Sequence, residues 1–127
     1  MEYGYKRKVG HSFREALGRL REELPKEGFG VLTEIDVKAT LKKKLYADFD
    51  EYIILGTCNP PFAYQALQAE KDIGLLLPCN IIVYEDARQT YVSAILPTVA
   101  MNMVENEKLG GIAAEVEAKL KKVIDSL

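Results

Sequence analysis

The sequence has few of the residues on which metal sites and familiar catalytic centres depend. Its 127 residues include two cysteines, one histidine (His11) and no tryptophan. One histidine and two cysteines cannot complete a standard four-ligand zinc site unless carboxylates or a second chain contribute. His11 lies in a predicted turn, where capping or solvation is a simpler role than catalysis. The cysteine and histidine counts therefore argue against a zinc domain.

The chain also lacks a long hydrophobic segment. Its longest apolar run, residues 73–77, is far too short to cross a bilayer. The first residues resemble neither an export signal nor an apolar anchor. Two cysteines without an export signal are typical of reduced thiols rather than of a disulfide scaffold. We therefore expect no membrane partner and place the protein in the cytoplasm.

Neither sign of charge dominates, because 17 Lys and Arg residues stand against 19 Asp and Glu residues. No basic field exists to attract nucleic acid, so we expect no nucleic-acid partner. The one dense basic run, residues 42–44, ends a predicted helix, where cations suit the helix dipole. Phosphate-binding loops and dinucleotide fingerprints are absent as well. With no catalytic motif, we favour a protein that is not an enzyme and leave its cofactor unidentified.

What is present predicts one α+β domain over residues 1–127. Alternating or apolar segments predict strands at residues 3–9, 29–35, 52–58, 80–84 and 90–96. Within the second strand, Phe29, Val31, Thr33 and Ile35 are expected on one face. A turn over residues 85–89 joins the last two strands into a hairpin. The simplest assembly is a largely antiparallel five-stranded sheet with helices packed on one face.

Helix signals separate these strands. Ser12 and Glu15 form a capping box at the start of the first helix. Short helices are expected after Asp36, after Asn59 and from residue 97. Asn59 is a favoured capping residue, and the proline after it suits the first helical position. A closing amphipathic helix is predicted after residues 110–111, both of which are glycine.

The two cysteines form the most informative pattern. Cys58 ends the third strand just before a helix, and Cys79 begins the fourth strand. Antiparallel strands would bring both residues to one edge of the sheet, whereas parallel strands would separate them. The positive end of the following helix is expected to lower the thiol pKa of Cys58. Burial as small hydrophobic residues is an equally favoured alternative for both cysteines.

A pair of acidic residues is the second candidate. Glu34 and Asp36 lie two positions apart on a predicted strand and so share a face. Such a pair can bind a cation or act in acid–base chemistry. The simpler interpretation is that Asp36 caps a helix, Glu34 faces solvent and Lys38 pairs with one of them.

The segments Cys-Asn-Pro at residues 58–60 and Leu-Leu-Pro-Cys-Asn at residues 76–80 resemble the bacterial and archaeal family called domain of unknown function 302. The similarity spans nearly the whole chain. It implies the TATA-binding-protein-like arrangement of strand, helix, four strands and helix around a curved antiparallel sheet, and it implies a homodimer. A shared fold carries no DNA-binding function, and no activity comes with the resemblance. The site candidates that it implies are Glu34, Asp36, Lys38, Cys58, Asn59, Pro60, Cys79 and Asn80.

Three functional hypotheses follow, in this order. The first is a binding module in which Cys58 and Cys79 line a site for a small molecule or a soft metal ion. The second is a dimeric interaction protein in which the cysteines belong to the core. The third is a thiol-dependent redox protein or enzyme that uses Cys58 as a thiolate.

Overall fold

A five-stranded antiparallel sheet organises the protein in the computed structural model, which describes residues 2–127. The spatial order of the strands is β1-β5-β4-β3-β2, and each neighbouring pair is antiparallel. The α+β class and the antiparallel sheet expected from the sequence are confirmed. The strands are β1 Gly4–Val9, β2 Gly30–Asp36, β3 Tyr52–Cys58, β4 Cys79–Asp86 and β5 Gln89–Ile95.

Five α-helices connect or follow these strands. They are α1 Phe13–Glu23, α2 Val37–Leu45, α3 Pro60–Ala69, α4 Pro97–Ala100 and α5 Glu107–Asp125, with 3₁₀ turns at Leu24–Glu27, Lys71–Leu76 and Met101–Met103. The Ser12 hydroxyl accepts a hydrogen bond from the Glu15 backbone N–H at 3.2 Å and so caps α1. Over residues 2–127, the helices are all too short or too polar to span a bilayer.

The hydrophobic core lies between the sheet and the two long helices, α1 and α5. On the sheet side it contains Leu55, Ile81 and Val83, and Leu20 and Leu120 reach it from the helices. Burying each of these side chains stabilises the fold by roughly 2 kcal/mol. A second apolar cluster lies beside this core, where α3 packs against α5. The candidate site lies where these two clusters meet.

The edge strand β2 contains an irregularity that the sequence did not reveal. Val31 lies opposite Thr57, whereas Thr33 lies opposite Gly56, because the register shifts between Val31 and Thr33. Thr57 and Gly56 are consecutive and point to opposite faces, so their partners do too. The predicted common face for Phe29, Val31, Thr33 and Ile35 is therefore wrong, since the extra residue of the bulge reverses the alternation.

The ends of the last two strands and the start of the final helix also differ from those predicted. The strands β4 and β5 continue almost to the hairpin tip, where Ala87 and Arg88 have φ values of 48° and 66°. Positive φ at both central residues suits the tight two-residue turns that match strand twist. The final helix begins at Glu107, where Asn106 Oδ1 accepts a hydrogen bond from the Lys108 N–H at 3.0 Å. Both glycines at residues 110–111 thus lie inside α5, although they were expected before it.

The sheet face opposite α1 and α5 is lined by aromatic and aliphatic side chains. Tyr52, Tyr84 and Tyr91 stack in a row across three strands, with ring centroids 5.4 and 5.3 Å apart. Ile54 and Ile82 pair beside them. We call these five residues the open sheet face. The face is less polar than is usual for the solvent side of an antiparallel sheet.

Candidate ligand-binding cavity

The site is built where β3 ends and β4 begins. Thr57 lies opposite Cys79 in the β3–β4 pairing, which places Cys58 one residue farther along. The buried Thr57 hydroxyl donates a hydrogen bond to the Cys79 carbonyl oxygen at 2.8 Å. Because this hydroxyl hydrogen is used within the sheet, Thr57 holds the two strands together rather than offering a donor to a ligand.

The Asn59 side chain is held by the turn that follows α1. Its Nδ2 donates a hydrogen bond to the Glu27 carbonyl oxygen at 2.9 Å, and only 7% of the residue is exposed. Gly28 has φ +86°, and a Cβ there would lie 3.2 Å from Nδ2, so glycine lets this loop approach the amide closely. Asn59 occupies the position that precedes α3, yet its side chain makes no capping hydrogen bond. The expected capping bond is therefore absent, because the amide is turned towards Glu27.

A cavity of about 330 Å³ opens beside these residues, between the sheet, α3 and α5. This volume lies at the lower end of the range for small-molecule sites. In residues 2–127, no acidic or basic side chain lines the cavity. Only the two thiols could acquire a charge there, by losing a proton. The lining residues are Phe29, Leu32, Thr57, Cys58, Asn59, Phe62, Ala63, Ala66, Leu67, Leu77, Pro78, Cys79, Pro97, Met101, Ile112, Ala113 and Val116.

The space exists because small side chains face each other where the helices meet. Ala63 and Ala66 line the cavity from α3, and Ala113 lines it from α5. Ala66 and Ala113 are each 2% exposed, so larger side chains at either position would enter the cavity. Interiors are normally packed to crystal-like density, so a space of this size next to the core is unusual. The sequence contains the alanine spacing, but only the packing of the two helices shows that it leaves a cavity.

Both thiols are less acidic than an ordinary cysteine. Burial, with a smaller contribution from the nearby Cys58, raises the pKa of Cys79 to about 11. Burial also raises the pKa of Cys58. The expected lowering at the start of α3 is therefore wrong. One physical reason is that Pro60 and Pro61 occupy the first two helical positions and have no N–H to stabilise a thiolate.

The other candidate residues are distributed around this site rather than within it. Asn80 lies next to Cys79 but alternates to the open side of the sheet and is exposed. Pro60 is exposed at the first position of α3, and its ring fixes the backbone there. Neither residue lines the cavity.

The acidic candidates are engaged elsewhere. Glu34 forms an ion pair with Arg21 of α1, and Asp36 accepts a hydrogen bond from the Ala39 N–H at 2.9 Å to cap α2. Lys38 pairs with Glu51 at 2.9 Å. In the part of the chain that the structure describes, no three His, Cys, Asp or Glu side chains are grouped as metal ligands. The structure thus brings Cys58, Asn59 and Cys79 together and leaves Glu34, Asp36 and Lys38 apart from them.

The family resemblance noted in the sequence is confirmed by comparison with known proteins. Residues 5–127 match the family model described as Domain of unknown function DUF302. The fold is similar to the crystal structure of an uncharacterized conserved DUF302 protein from Bacillus stearothermophilus, with 33% identity, a TM-score of 0.93 and 98% of each chain covered. No curated protein matches the sequence significantly. The chain therefore belongs to the DUF302 family, whose description states no function.

Proposed function

We propose that this protein is a binding module whose cavity takes a small, uncharged, apolar molecule. The observation that carries the proposal is a space of about 330 Å³ with an almost entirely hydrophobic wall. Leu32 and Leu67 belong to that wall and are also exposed, so the cavity has an apolar entrance. An apolar ligand gains by leaving water for such a wall, whereas a charged ligand would lose its hydration without compensation.

The soft-metal version of this proposal has less support. Cys58 and Cys79 supply two sulfur ligands, but both must lose a proton before they bind a metal tightly. Their raised pKa values oppose that loss at neutral pH. The same fact weighs against a thiolate enzyme, because the thiolate is the nucleophile. We therefore assign the cysteines to the wall of the cavity as neutral, polarizable groups.

Filling the cavity tests the proposal. We expect Ala113→Phe to weaken binding of naphthalene by roughly tenfold or more, because the new ring occupies the ligand space. Isothermal titration calorimetry of the purified chain measures this change. Ala114→Phe is the matched control, since Ala114 is the next residue of α5, is exposed and does not line the cavity. Absence of naphthalene binding in the original chain, or equal binding by both variants, would contradict the proposal.

A second proposal is that the protein is a homodimer that associates through the open sheet face. The strands β3 and β4 carry apolar residues on both faces, as Ile54 and Ile82 show. Phe49, 47% exposed, extends this surface, with its ring centroid 6.2 Å from that of Tyr52. Aromatic enrichment at the centre is typical of protein interfaces. One charge borders this centre, because Lys6 Nζ donates a hydrogen bond to the Tyr84 hydroxyl at 3.1 Å and lies over the Tyr84 and Tyr91 rings. The three strands that carry this face span roughly 330 Å² in projection. A stable dimer buries ~800 Å² per partner, so Phe49 and the neighbouring strands must also contribute to the interface.

We expect the original chain to have twice its 14.2 kDa mass in solution and Ile82→Lys to have the single mass. A lysine at the centre of the open sheet face would have to be buried without a partner in the dimer, which costs several kcal/mol. Size-exclusion chromatography with light scattering measures both masses. Gln68→Lys, on an exposed position of α3, is the control and should remain dimeric. A single-chain mass for the original protein would rule out this dimer.

We further propose a cytoplasmic location and a single domain over residues 1–127 with the TATA-binding-protein-like arrangement. Two unpaired cysteines support a reducing environment. One continuous sheet from β1 to β2 supports a single domain. The charge balance supports the expectation that nucleic acid is not a partner.

A further inference from the structure

Within the apolar wall of the cavity, one polar side chain retains an unused hydrogen-bonding atom. The hydrogen bond from Nδ2 to the Glu27 carbonyl oxygen fixes the orientation of the Asn59 amide, because a carbonyl can only accept. Among the described residues, no donor is bonded to Asn59 Oδ1. In residues 2–127, every fully buried side-chain oxygen has a hydrogen-bond partner. Because Oδ1 has no partner, it is not fully buried and must contact open space. Asn59 lines the cavity, so we assign the cavity as the open space that Oδ1 contacts.

Around Asn59 the backbone and hydroxyl donors are mostly missing or already used, so apart from the second hydrogen of Nδ2 this end of the cavity offers mainly acceptors. Pro60 and Pro61 remove the first two N–H groups of α3, and the N–H of Ala63 is bonded to the Asn59 carbonyl oxygen at 3.0 Å. The Thr57 hydroxyl hydrogen is used within the sheet. The N-terminus of a helix normally attracts anions through its free N–H groups. The N-terminus of α3 has few free N–H groups.

We propose that the ligand is an uncharged apolar molecule with one hydroxyl or N–H group, which donates a hydrogen bond to Asn59 Oδ1. This inference rests on the proposed binding function and specifies the class of ligand, such as a phenol, an alicyclic alcohol or an indole-like ring. The apolar body fills the space between α3 and α5. The donor replaces the water that Oδ1 would otherwise contact, and a ligand that leaves this oxygen unpaired forfeits a hydrogen bond.

Three ligands with the same naphthalene ring test the proposal. The hydroxyl of 2-naphthol can donate a hydrogen bond, the ether oxygen of 2-methoxynaphthalene can only accept one, and naphthalene can do neither. The affinity of each is measured by isothermal titration calorimetry at pH 7 for the original chain and for Asn59→Ala. We expect the preference for 2-naphthol over naphthalene to fall roughly fivefold in Asn59→Ala. Naphthalene cannot donate to Oδ1, so its affinity for each protein is the reference for the preference, and its binding also reports that the variant is folded. An equal preference in both proteins would overturn the inference.

A second measurement covers the case in which Asn59→Ala does not fold. In the original chain, the ¹⁵N-labelled side-chain amide resonance of Asn59 is expected to shift more with 2-naphthol than with 2-methoxynaphthalene. Equal shifts would overturn the inference, as would tighter binding of 2-methoxynaphthalene, which would make Nδ2 the anchor. If none of the three ligands binds, the proposed function itself fails. If naphthalene binds and the preference is unchanged, only the assignment of Asn59 fails.

Discussion

Alkylation of Cys79 by iodoacetamide at pH 7 is expected to be about a hundred times slower than alkylation of an ordinary cysteine. The pKa of this thiol rises from 9.0 to about 11, and each pKa unit lowers the thiolate fraction tenfold. Limited access slows the reaction further, because Cys79 is 8% exposed. Mass spectrometry of Cys58→Ser, in which Cys79 is the sole thiol, measures the rate, and burial, the larger cause of the raised pKa, remains in this variant. The same variant in urea is the control and should react at the ordinary rate.

The raised pKa also predicts how stability depends on pH. As pH rises from about 9 to about 11, the unfolded Cys79 loses its proton first, so the unfolded state gains relative to the folded state. This group should therefore stabilise the fold fully below pH 9 and lose that contribution, roughly 2 kcal/mol, by pH 11. Urea unfolding at both pH values measures it, and Cys79→Ala should lack this part of the loss. Equal pH dependence in the two proteins, or rapid native alkylation, would contradict the raised pKa.

Substitution of Gly56 by valine is expected to destabilise the protein by about 3 kcal/mol. Gly56 lies in β3, and a Cβ there would meet Thr33 Oγ1 and lie 2.8 Å from Pro78 Cγ. The Thr33 hydroxyl can rotate about χ1, but the rigid Pro78 ring is fixed before β4 and cannot move far without loosening strand pairing. The branched valine side chain would add further contacts that the site cannot accept.

The urea midpoint of unfolding measures the effect of Gly56→Val. Gly30→Val is the matched control, because a Cβ at Gly30 has no neighbouring atom within 4 Å and this glycine lies in the exposed edge strand β2. We expect little change or a small gain from that control, since valine favours strands. A midpoint for Gly56→Val equal to that of the control would show that the crowding around Gly56 is not real.

Features determined by neighbouring residues could be predicted from the sequence. Alternating side chains and the capping oxygens of Ser12 and Asp36 act over one turn or one strand, so the number and order of strands and the start of α1 were correct. The bulge after Val31 could not be predicted, because it depends on how β2 pairs with β3. The start of α5 was missed because two glycines resembled a boundary, whereas tertiary packing keeps them helical.

The candidate site was predicted only in part. The sequence indicated Cys58, Asn59 and Cys79, and the antiparallel pairing places all three on one cavity wall. It did not indicate Ala66 or Ala113, because an empty volume depends on the distance between two helices. The pKa of Cys58 was assigned the wrong direction, since burial outweighs a helix start whose first two residues are prolines.

The position of β1 has a consequence for how the chain is made. Of the five strands, β1 is synthesised first, yet its neighbour in the sheet is β5, with Gly4 opposite Ile95. Until β5 has been synthesised, β1 has no strand with which to pair, and the apolar side of α1 lacks part of its sheet. Contacts between such distant segments slow folding, because a long loop must close before they form. The sheet is therefore completed only after β5 has been synthesised, and until then the apolar side of α1 is exposed to aggregation.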